Sequence, residues 1–225
     1  MVEHRVPQGL RGRGARLALA ALLLLAARAL PAHPHVYMEA RMDFEMRGRE
    51  CIGLWVEWSF DQVFSAMLIG DFDADRDGSF SAAESAVVQA KAFSNLSKYG
   101  YFTFIRKGAT RSSPTTVDGF RASQSGGVVT YRFHMDLAGK GYAGDFSVAI
   151  FDPTFYCAIK YRDAPASVVW SGDRPAKDPR VAATENRDYP VYYNPAGGAT
   201  DTRTYSAWAP GLMTAYPTEV RVVFE

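Results

Sequence analysis

The feature that most constrains the fold is the strict alternation of apolar and polar residues over positions 36–46. A period of two puts successive side chains on opposite faces of a β-strand, so this stretch predicts a strand with one buried face. That face consists of Val36, Met38, Ala40, Met42, Phe44 and Met46. A turn at 47–50 and a second alternating stretch at 51–60 follow, and together they predict a β-hairpin. The apolar face of the second strand consists of Ile52, Leu54, Val56, Trp58 and Phe60.

Further strands are predicted along the rest of the chain from the same period. They cover residues 101–107, 128–137, 145–152, 155–161, 166–170 and 219–224. Residues 171–218 are rich in Pro, Gly, Ala and Tyr and show no period, which predicts long loops over the sheet, held by Trp208 and the tyrosines. Several short strands separated by turn residues are typical of two packed sheets. The expected fold is mainly β, an antiparallel β-sandwich of the Ig-like kind.

One segment, residues 61–99, breaks this pattern because its apolar residues recur at the period of a helix. In its first half Asp61 is a suitable N-cap. The apolar side of this first helix consists of Val63, Phe64, Met67 and Leu68. The second half, from residue 81, is rich in Ala, and Gly100 is a suitable stop signal. The segment is therefore predicted to be an EF-hand-like helix–loop–helix inserted into the β-rich domain.

The loop of this insertion, residues 73–84, has the sequence DADRDGSFSAAE. An EF-hand loop takes oxygen ligands from positions 1, 3, 5, 7, 9 and 12, and Gly at position 6 permits its sharp turn. Those six ligand positions are occupied by Asp73, Asp75, Asp77, Ser79, Ser81 and Glu84. Gly78 is at position 6, and Phe80, at position 8, is expected to pack inward. The spacing therefore predicts a Ca²⁺ site.

An acidic surface turn is the alternative interpretation of this loop, since the Asp-Gly dipeptide favours turns. That interpretation accounts for Asp77 and Gly78, but not for acidic residues at alternate positions followed by Glu at position 12. A single loop of this kind in an exported protein is expected to bind calcium weakly, with a Kd of roughly 10⁻⁴–10⁻³ M. We therefore expect the ion to clamp the two helices rather than to act as a signal.

Residues 1–32 have the pattern of a secretory signal peptide, with a basic start, an apolar run at 17–30 and Ala32 at the end. The unbroken apolar run stops at Arg28, short of the ~20 residues that a spanning helix needs. The basic start has no adjacent arginine pair, so Sec export to the periplasm is expected, with residues 33–225 as one domain and no membrane insertion. Cleavage removes five of the 25 basic and one of the 24 acidic residues. The remaining net charge of −3 provides no basic surface for nucleic acid.

Cleavage after Ala32 would leave His33, Pro34 and His35 at the new amino terminus. A free amine together with imidazole nitrogens suits Ni²⁺, Co²⁺, Zn²⁺ or Cu²⁺. Because Pro34 has no N–H, a square-planar site that uses the second backbone amide is excluded. The alternative is a terminus with two solvated histidines that bind no metal.

Three other residues are weaker candidates for ligands, because each has a simpler explanation. Asp61 is explained as a helix cap, His134 as a solvent-facing residue of a strand, and Asp152 as a turn residue before Pro153.

The two cysteines, Cys51 and Cys157, leave two alternatives open. Export permits a disulfide between them, whereas an unpaired cysteine is also a common buried residue. Nothing in the sequence around either residue suggests a nucleophile.

Four stretches of the chain carry a family resemblance: AHPHVYMEARMDF, VEWSFDQVFSAMLIGDFDADRDGSFSAAE, YGYFTFI and VAIFDPTFY. With these stretches the chain resembles a bacterial family of unknown function, described as the periplasmic component of an uncharacterised ABC-type transport system. Its members are similar in the signal peptide, the His-Pro-His start and the calcium-type loop. Their genes often accompany nickel/cobalt permeases, so the resemblance implies metal handling with an inner-membrane permease as partner. The resemblance extends to about Asp163.

These observations lead to the hypothesis of a periplasmic accessory protein of a transition-metal transport system, with nickel, cobalt or zinc at His33 and His35 and calcium in the loop. A copper carrier is an alternative, because periplasmic copper-resistance proteins also hold Cu²⁺ through an amino-terminal His on a β-sandwich. A calcium-stabilised interaction module without a transition metal is a third possibility. The sequence contains no nucleophile elbow, P-loop, Cys-x-x-Cys or His-Glu-x-x-His motif, so we expect no enzymatic activity.

Overall fold

The computed structural model of the chain describes residues 34–198 and 201–225. Of these described residues, strands account for 46% and helices for 17%, so the fold is mainly β, as predicted. Within the same ranges the strands form two five-stranded sheets and one two-stranded sheet, and most pairs are antiparallel. The predicted signal peptide at 1–32 and His33 lie outside the described residues.

The first sheet contains the predicted hairpin. β1 (Val36–Arg47) pairs with β2 (Glu50–Phe60), β2 with β6 (Val128–Asp136), and β6 with β5 (Asp118–Ser125), all antiparallel. β8 (Cys157–Trp170) lies on the other side of β1 and runs parallel to it, which differs from the purely antiparallel expectation. β8 is also one strand where two were predicted. The sequence at 162–165 breaks the alternation, and in the structure these residues form an irregularity opposite β1 before the pairing resumes.

The second sheet contains several strands that the sequence pattern does not show. In order across the sheet the strands are β4 (Thr110–Ser112), β3 (Thr103–Lys107), β7 (Phe146–Ile150), β12 (Thr218–Val223) and β9 (Arg180–Glu185). β10 (Val191–Tyr193) and β11 (Met213–Ala215) form the two-stranded sheet. The prediction of loops over 171–218 is therefore wrong at β9, β10 and β11. These strands are short and largely half-exposed or exposed, so they leave no clear period in the sequence.

The predicted anchors of that region are only partly right, because Trp208 is 59% exposed. The prediction holds for one of the tyrosines: Tyr193 on β10 is buried, and its ring stacks on Phe155 with the centroids 3.9 Å apart.

The two five-stranded sheets share one apolar core. All six predicted core residues of β1 are at most 2% exposed, and Phe44 of β1 meets Phe146 of β7 edge to face at 5.5 Å. The prediction for β2 is wrong at its start. A register shift opposite Glu45 and Met46 puts Cys51 in the core and leaves Ile52 half-buried. A bulge of this kind moves one residue to the other face of its strand.

The inserted segment forms α1 (Gln62–Phe72) and α2 (Ala82–Val88), which continues as a π-helical turn, Gln89–Phe93, and a 3₁₀ segment, Ser94–Phe102. Gly100 has the left-handed φ of +57° expected of a stop signal, but turns continue to Phe102. Only part of the predicted apolar side of α1 is buried against the rest of the protein.

Side chains of this segment join it to the first sheet. Ser65 of α1 accepts a hydrogen bond from Val129 N at 3.0 Å, and Ser85 of α2 accepts one from Ala122 N at 2.8 Å. Both serines are buried, and each satisfies a backbone N–H on the sheet. The loop between the helices is therefore tied at both ends to β5 and β6.

Candidate functional site

The loop between α1 and α2 begins at Asp73, the C-cap of α1, and ends at Glu84 in the first turn of α2. One carboxylate oxygen from each of Asp73, Asp75 and Glu84 lies within 4.8 Å of the other two. Three carboxylates this close repel one another unless a cation lies among them. Carboxylate oxygens are also the ligands that Ca²⁺ prefers.

The backbone of the loop turns as the sequence predicts. Gly78 has φ +82° and Arg76 has φ +59°, so two residues of the loop adopt the left-handed conformation. The N–H of Gly78 donates to Asp73 Oδ2 at 3.3 Å. Phe80 is 8% exposed and packs into the core, which confirms the expectation for position 8.

Asp73 is the most informative residue of the site. It is 8% exposed, and its Oδ2 accepts hydrogen bonds from Gly78 N and from Gln124 Nε2, the latter at 3.1 Å. Its Oδ1 is buried and has no hydrogen-bond partner among the described residues. Burying an oxygen of a carboxylate without a partner is costly, so a bound cation would remove a real penalty at this atom.

Glu84 is held in position by both ends of the loop. Its Oε1 accepts a hydrogen bond from Ala74 N at 2.7 Å, and its Oε2 accepts from the N–H and the hydroxyl of Ser81 at 2.9 and 2.8 Å. The hydrogen bonds from Ser81, together with the one from Ala74, keep the pKa of Glu84 below its ordinary value. Glu84 is therefore an anion at neutral pH, as a calcium ligand must be.

The structure brings three of the six predicted ligands into one cluster. Asp77 Oδ1 instead accepts hydrogen bonds from the N–H and the hydroxyl of Ser79, at 2.8 and 2.7 Å. The Ser81 hydroxyl is bonded to Glu84. The atoms of the loop that could coordinate a metal are all oxygens. The loop therefore fits a hard cation such as Ca²⁺ and not a cation that prefers sulfur ligands.

Gln124 is a part of this site that the sequence does not reveal. It lies on β5, 51 positions along the chain from Asp73, and β5 was not predicted. Its strand is mostly exposed, with only Ala122 fully buried, so the periodic signal is weak.

The predicted metal site at the amino-terminal end is only partly within the described residues, because His33 lies outside them. His35 is exposed and directly precedes β1; its ring is 5.0 Å from that of Tyr156, and its N–H donates to Tyr156 O at 2.9 Å. Within residues 34–198 and 201–225, no group of three metal-ligating side chains includes His35.

Asp61, the first weaker candidate, lies at the same end of the hairpin as His35 and is the N-cap of α1. Its Oδ1 accepts from the N–H groups of Val63 and Phe64 at 2.8 and 2.9 Å, and its Oδ2 accepts from Tyr37 N at 2.8 Å. Burial raises the pKa of Asp61, but these hydrogen bonds outweigh it and the pKa is lowered overall. The predicted capping role is confirmed.

Asp152 has the role of a turn residue. It is 4% exposed, its Oδ1 accepts from the N–H and hydroxyl of Thr154, and its Oδ2 accepts from Cys157 N at 2.9 Å.

His134 lies elsewhere, on the outer face of the first sheet, between Asp118 Oδ1 at 2.9 Å and Glu45 Oε2 at 3.3 Å. The strand register puts it level with Asp43, eight residues along β1 from His35, or about 26 Å. The structure does not bring His134 to the amino-terminal end.

Of the two alternatives left open for the cysteines, the structure has the unpaired one. Both are free, and the strand register puts Cys51 beside Met46 and Cys157 beside Val36, at opposite ends of β1. Ten residues of strand separate these positions by about 33 Å, far beyond the reach of a disulfide. Burial raises the pKa of the Cys51 thiol to about 12 and also raises that of Cys157, so neither is poised as a nucleophile.

Comparison with known protein families gives a match over most of the chain. The family model described as "Protein of unknown function (DUF1007)" matches residues 18–224, which include both sheets, the helix–loop–helix segment and the acidic loop. The chain belongs to the DUF1007 family. The match confirms the resemblance to a family of unknown function. It also continues past Asp163, where the resemblance in the sequence was expected to end.

One curated relative gives no functional description. It is the "Uncharacterized 15.5 kDa protein in trpE 3'region" of Spirochaeta aurantia, which is 27% identical over 146 residues. The alignment covers 64% of this DUF1007 chain and 99% of the relative. Within the described part of the chain, no helix combines the length and the apolar character needed to cross a membrane.

Proposed function

We propose that this protein is an exported accessory protein of a transition-metal transport system, with a structural Ca²⁺ in the loop at 73–84 and a transition metal at its amino-terminal end. The observation that carries the calcium part of the proposal is at Asp73: its Oδ1 is buried without a hydrogen-bond partner among the described residues, and one of its carboxylate oxygens lies within 4.8 Å of those of Asp75 and Glu84. A cation bound there would complete the coordination of this oxygen.

The calcium site would be of the EF-hand type, with the six ligands predicted from the sequence. Its role would be structural. α1 and α2 are each bonded to the first sheet through a buried serine, so an ion between Asp73 and Glu84 would lock two helices that already share one support. The two five-stranded sheets would then form an Ig-like sandwich with this segment as its insertion.

The transition-metal site would use His33 and His35. Its support is the His-Pro-His sequence at the predicted cleavage point, together with the resemblance to a family whose genes accompany nickel/cobalt permeases. His35 precedes the first strand and is exposed, so its imidazole can reach a metal without disturbing the core. Ni²⁺, Co²⁺ and Zn²⁺ are the metals proposed, and an inner-membrane permease is the proposed partner. The protein would act in the periplasm after Sec export, by binding rather than by catalysis.

Counting bound metals tests both parts of the proposal. The exported form, with a native His33 terminus and no tag, is dialysed against millimolar calcium and low micromolar nickel, cobalt, zinc and copper, and bound metals are counted by elemental mass spectrometry. We expect one calcium and one transition metal per chain. A copper-only result would favour a copper carrier, although copper outbinds nickel at most sites of this kind, so competition between the two metals must be measured.

A double variant tests the two histidines separately from the calcium site. His33→Ala with His35→Ala is expected to keep the calcium and lose the transition metal. His134→Ala is the matched control, because His134 lies about 26 Å along the sheet, and it should keep both metals. A double variant that binds transition metals as well as the wild type contradicts the proposed role of the two histidines and leaves the calcium site untouched.

A calcium-stabilised interaction module is a second candidate, and the surface of α1 favours it. Val63 and Met67, four residues apart on α1, are 76% and 58% exposed, and Tyr37, whose backbone pairs with Asp61 at the start of α1, is 57% exposed. These apolar side chains stand on the helix whose position the calcium would fix. Calcium bound alone in the metal count would favour this second function.

A further inference from the structure

The hairpin of β5 and β6 contacts all three parts of the helix–loop–helix segment. The buried serines of α1 and α2 accept hydrogen bonds from Val129 N of β6 and Ala122 N of β5, at 3.0 and 2.8 Å. Between these two contacts, Gln124 Nε2 of β5 donates to Asp73 Oδ2 at 3.1 Å, at the start of the acidic loop. One proposed calcium ligand is therefore held from outside the loop that supplies it.

The pairing of the hairpin fixes the backbone of Gln124. Gln124 pairs with Val129 across the hairpin, and Val129 is the residue that α1 holds through Ser65. The turn that joins the strands has two residues, Gly126 and Gly127, with left-handed φ of +58° and +76°. Two-residue turns with positive φ at both positions match the twist of paired strands and fix the register of a hairpin. The position of Gln124 is therefore set by the sheet and not by the loop.

Gln124 lies on the face of β5 that packs against the helical segment. Side chains alternate along a strand, so Gln124 shares its face with Ala122, which is buried. Phe120 belongs to the same face, and its ring centroid lies 4.3 Å from that of Phe93 in the π-helical turn. Ser123, on the opposite face, is exposed. An amide on the covered face needs a partner within the protein, and the acidic loop supplies one.

The two oxygens of the Asp73 carboxylate differ in their surroundings. Oδ2 accepts hydrogen bonds from Gln124 Nε2 and from Gly78 N, the latter at 3.3 Å. Oδ1 is buried and has no hydrogen-bond partner among the described residues. Two donors from different parts of the chain restrict the rotation of this carboxylate, which leaves Oδ1 as the oxygen available to an ion. Carboxylates that bind metals are themselves held by hydrogen bonds of this kind.

The charge of the donor also fits this role. The amide of Gln124 is neutral, so it orients Asp73 and leaves the negative charge that attracts a cation. A basic side chain at position 124 would hold the same oxygen but would also neutralise it. Within residues 34–198 and 201–225, no Lys, Arg or His forms an ion pair with Asp73, Asp75 or Glu84. These residues leave the counter-charge to a bound cation.

We propose that Gln124 is a positioning residue of the calcium site: its amide holds Asp73 Oδ2 so that the carboxylate presents its other oxygen to the ion. This role of Gln124 rests on the calcium part of the proposed function and adds a residue from outside the EF-hand-type loop. Calcium affinity then depends on the β5–β6 hairpin, so occupancy of the loop and stability of the hairpin are linked.

Replacing Gln124 with Met removes the donor and keeps the length of the side chain. Losing a hydrogen-bond partner of a metal ligand typically weakens metal binding by 10- to 100-fold. Because Gly78 N still holds Asp73 Oδ2, we expect Gln124→Met to bind Ca²⁺ about 10-fold more weakly than the wild type. The Kd is measured from the Gly78 backbone amide resonance while ¹⁵N-labelled exported protein is titrated with Ca²⁺. Ser123→Met, on the exposed face of the same strand, is the matched control and should keep the wild-type Kd.

Melting temperatures in EGTA and in millimolar calcium distinguish positioning from a purely structural role. A hydrogen bond that only anchors β5 would be lost equally with and without the ion, so Gln124→Met would lower the Tm by the same amount in both conditions and leave the Kd unchanged. A positioning residue makes the loss of Tm larger in calcium than in EGTA. Equal losses, with an unchanged Kd, would overturn the proposal.

Gln124→Lys provides a second test that does not depend on whether Gln124→Met folds. Its ammonium group would supply the counter-charge that the ion otherwise brings, so this variant should melt in EGTA at the wild-type temperature or higher and should bind calcium more weakly. Wild-type affinity in Gln124→Lys would overturn the role of Gln124. A wild-type protein that binds no calcium would instead overturn the proposed calcium site, and the role of Gln124 with it.

Discussion

Replacing Asp73 with Asn will abolish the calcium-dependent rise in the melting temperature of this protein. The wild-type protein is expected to gain stability from any ion that binds the folded chain alone. At a calcium concentration 100-fold above Kd the gain in the free energy of unfolding is about 2.7 kcal/mol. For a chain of this length that gain corresponds to a rise in Tm of roughly 5–10 °C. The variant loses a charged ligand whose Oδ1 is buried and has no hydrogen-bond partner in the part of the chain that the structure describes, so its Tm should not respond to calcium.

When calcium is chelated, the same substitution is not expected to lower the melting temperature relative to the wild type. Without the ion, Asp73 is a buried carboxylate beside Asp75 and Glu84, and a neutral amide removes that repulsion. In EGTA, Asp73→Asn should therefore melt at the same temperature as the wild type or higher. Asp71→Asn is the matched control, since Asp71 is an exposed acid outside the cluster, and it should keep the full calcium response. A variant at Asp73 that still gains stability from calcium contradicts this assignment.

Replacing Arg106 with Met will lower the free energy of unfolding by about 3 kcal/mol, or the Tm by roughly 6–12 °C. Arg106 of β3 makes a two-pronged ion pair with Glu219 of β12, and Ser147 of β7 between them donates to Glu219 at 2.9 Å. Glu219 is 6% exposed, so removing Arg106 leaves a buried charge without its counter-charge. The estimate is at the low end for buried pairs because the Arg106 side chain is 23% exposed.

The effect of Arg106→Met should depend on pH in a defined direction. Burial raises the pKa of Glu219, but hydrogen bonds from Arg106 and Ser147 outweigh it and lower the pKa overall. A carboxyl whose pKa is lower in the folded state contributes stability above its unfolded pKa, about 4.3 for Glu, and loses it as the pH falls through the folded pKa. The difference between wild type and variant should therefore be full at neutral pH and shrink in acid.

An exposed ion pair supplies the control for this second prediction. Lys177 pairs with Glu225, and both side chains are more than half exposed. Such a surface pair contributes 0–1 kcal/mol, so Lys177→Met should change the Tm little. Chemical or thermal denaturation at pH 7 and at pH 3 measures both variants. Equal losses for Arg106→Met and Lys177→Met would contradict a buried structural role for the Arg106 pair.

The sequence predicts those parts of the fold in which one pattern dominates. β1 is buried on one face and half-exposed on the other, so its alternation is clear and all six core residues were predicted. β2 shows the limit of prediction from the alternation of apolar and polar residues. The bulge near Cys51 puts one residue on the other face of the strand, and the polarity of the sequence does not reveal this. β9, β10 and β11 are mostly half-exposed or exposed, with Tyr193 their one buried residue, and pairing between distant strands decides their structure.

The residues singled out in the structure likewise fall into those that the sequence reveals and those that it does not. The spacing of Asp73, Asp75 and Glu84 is visible in the sequence because the loop supplies its ligands from one short segment. Gln124, Trp58 and Tyr131 are different, since only the register of the strands brings each to its neighbours. A Trp and a Tyr on apolar strand faces look like ordinary core residues in the sequence. That Trp58 Nε1 and the Tyr131 hydroxyl have no hydrogen-bond partner among the described residues is seen only once the packing is known.

The central claim is that the loop at 73–84 binds calcium through Asp73, and a calorimetric titration tests it most directly. Exported wild-type protein freed of metal is titrated with Ca²⁺, and Asp73→Asn is titrated under the same conditions. The account predicts one calcium per wild-type chain, with a Kd of roughly 10⁻⁴–10⁻³ M, and no binding to the variant in that range. Absence of binding to the wild type, or the same Kd for both proteins, would contradict it.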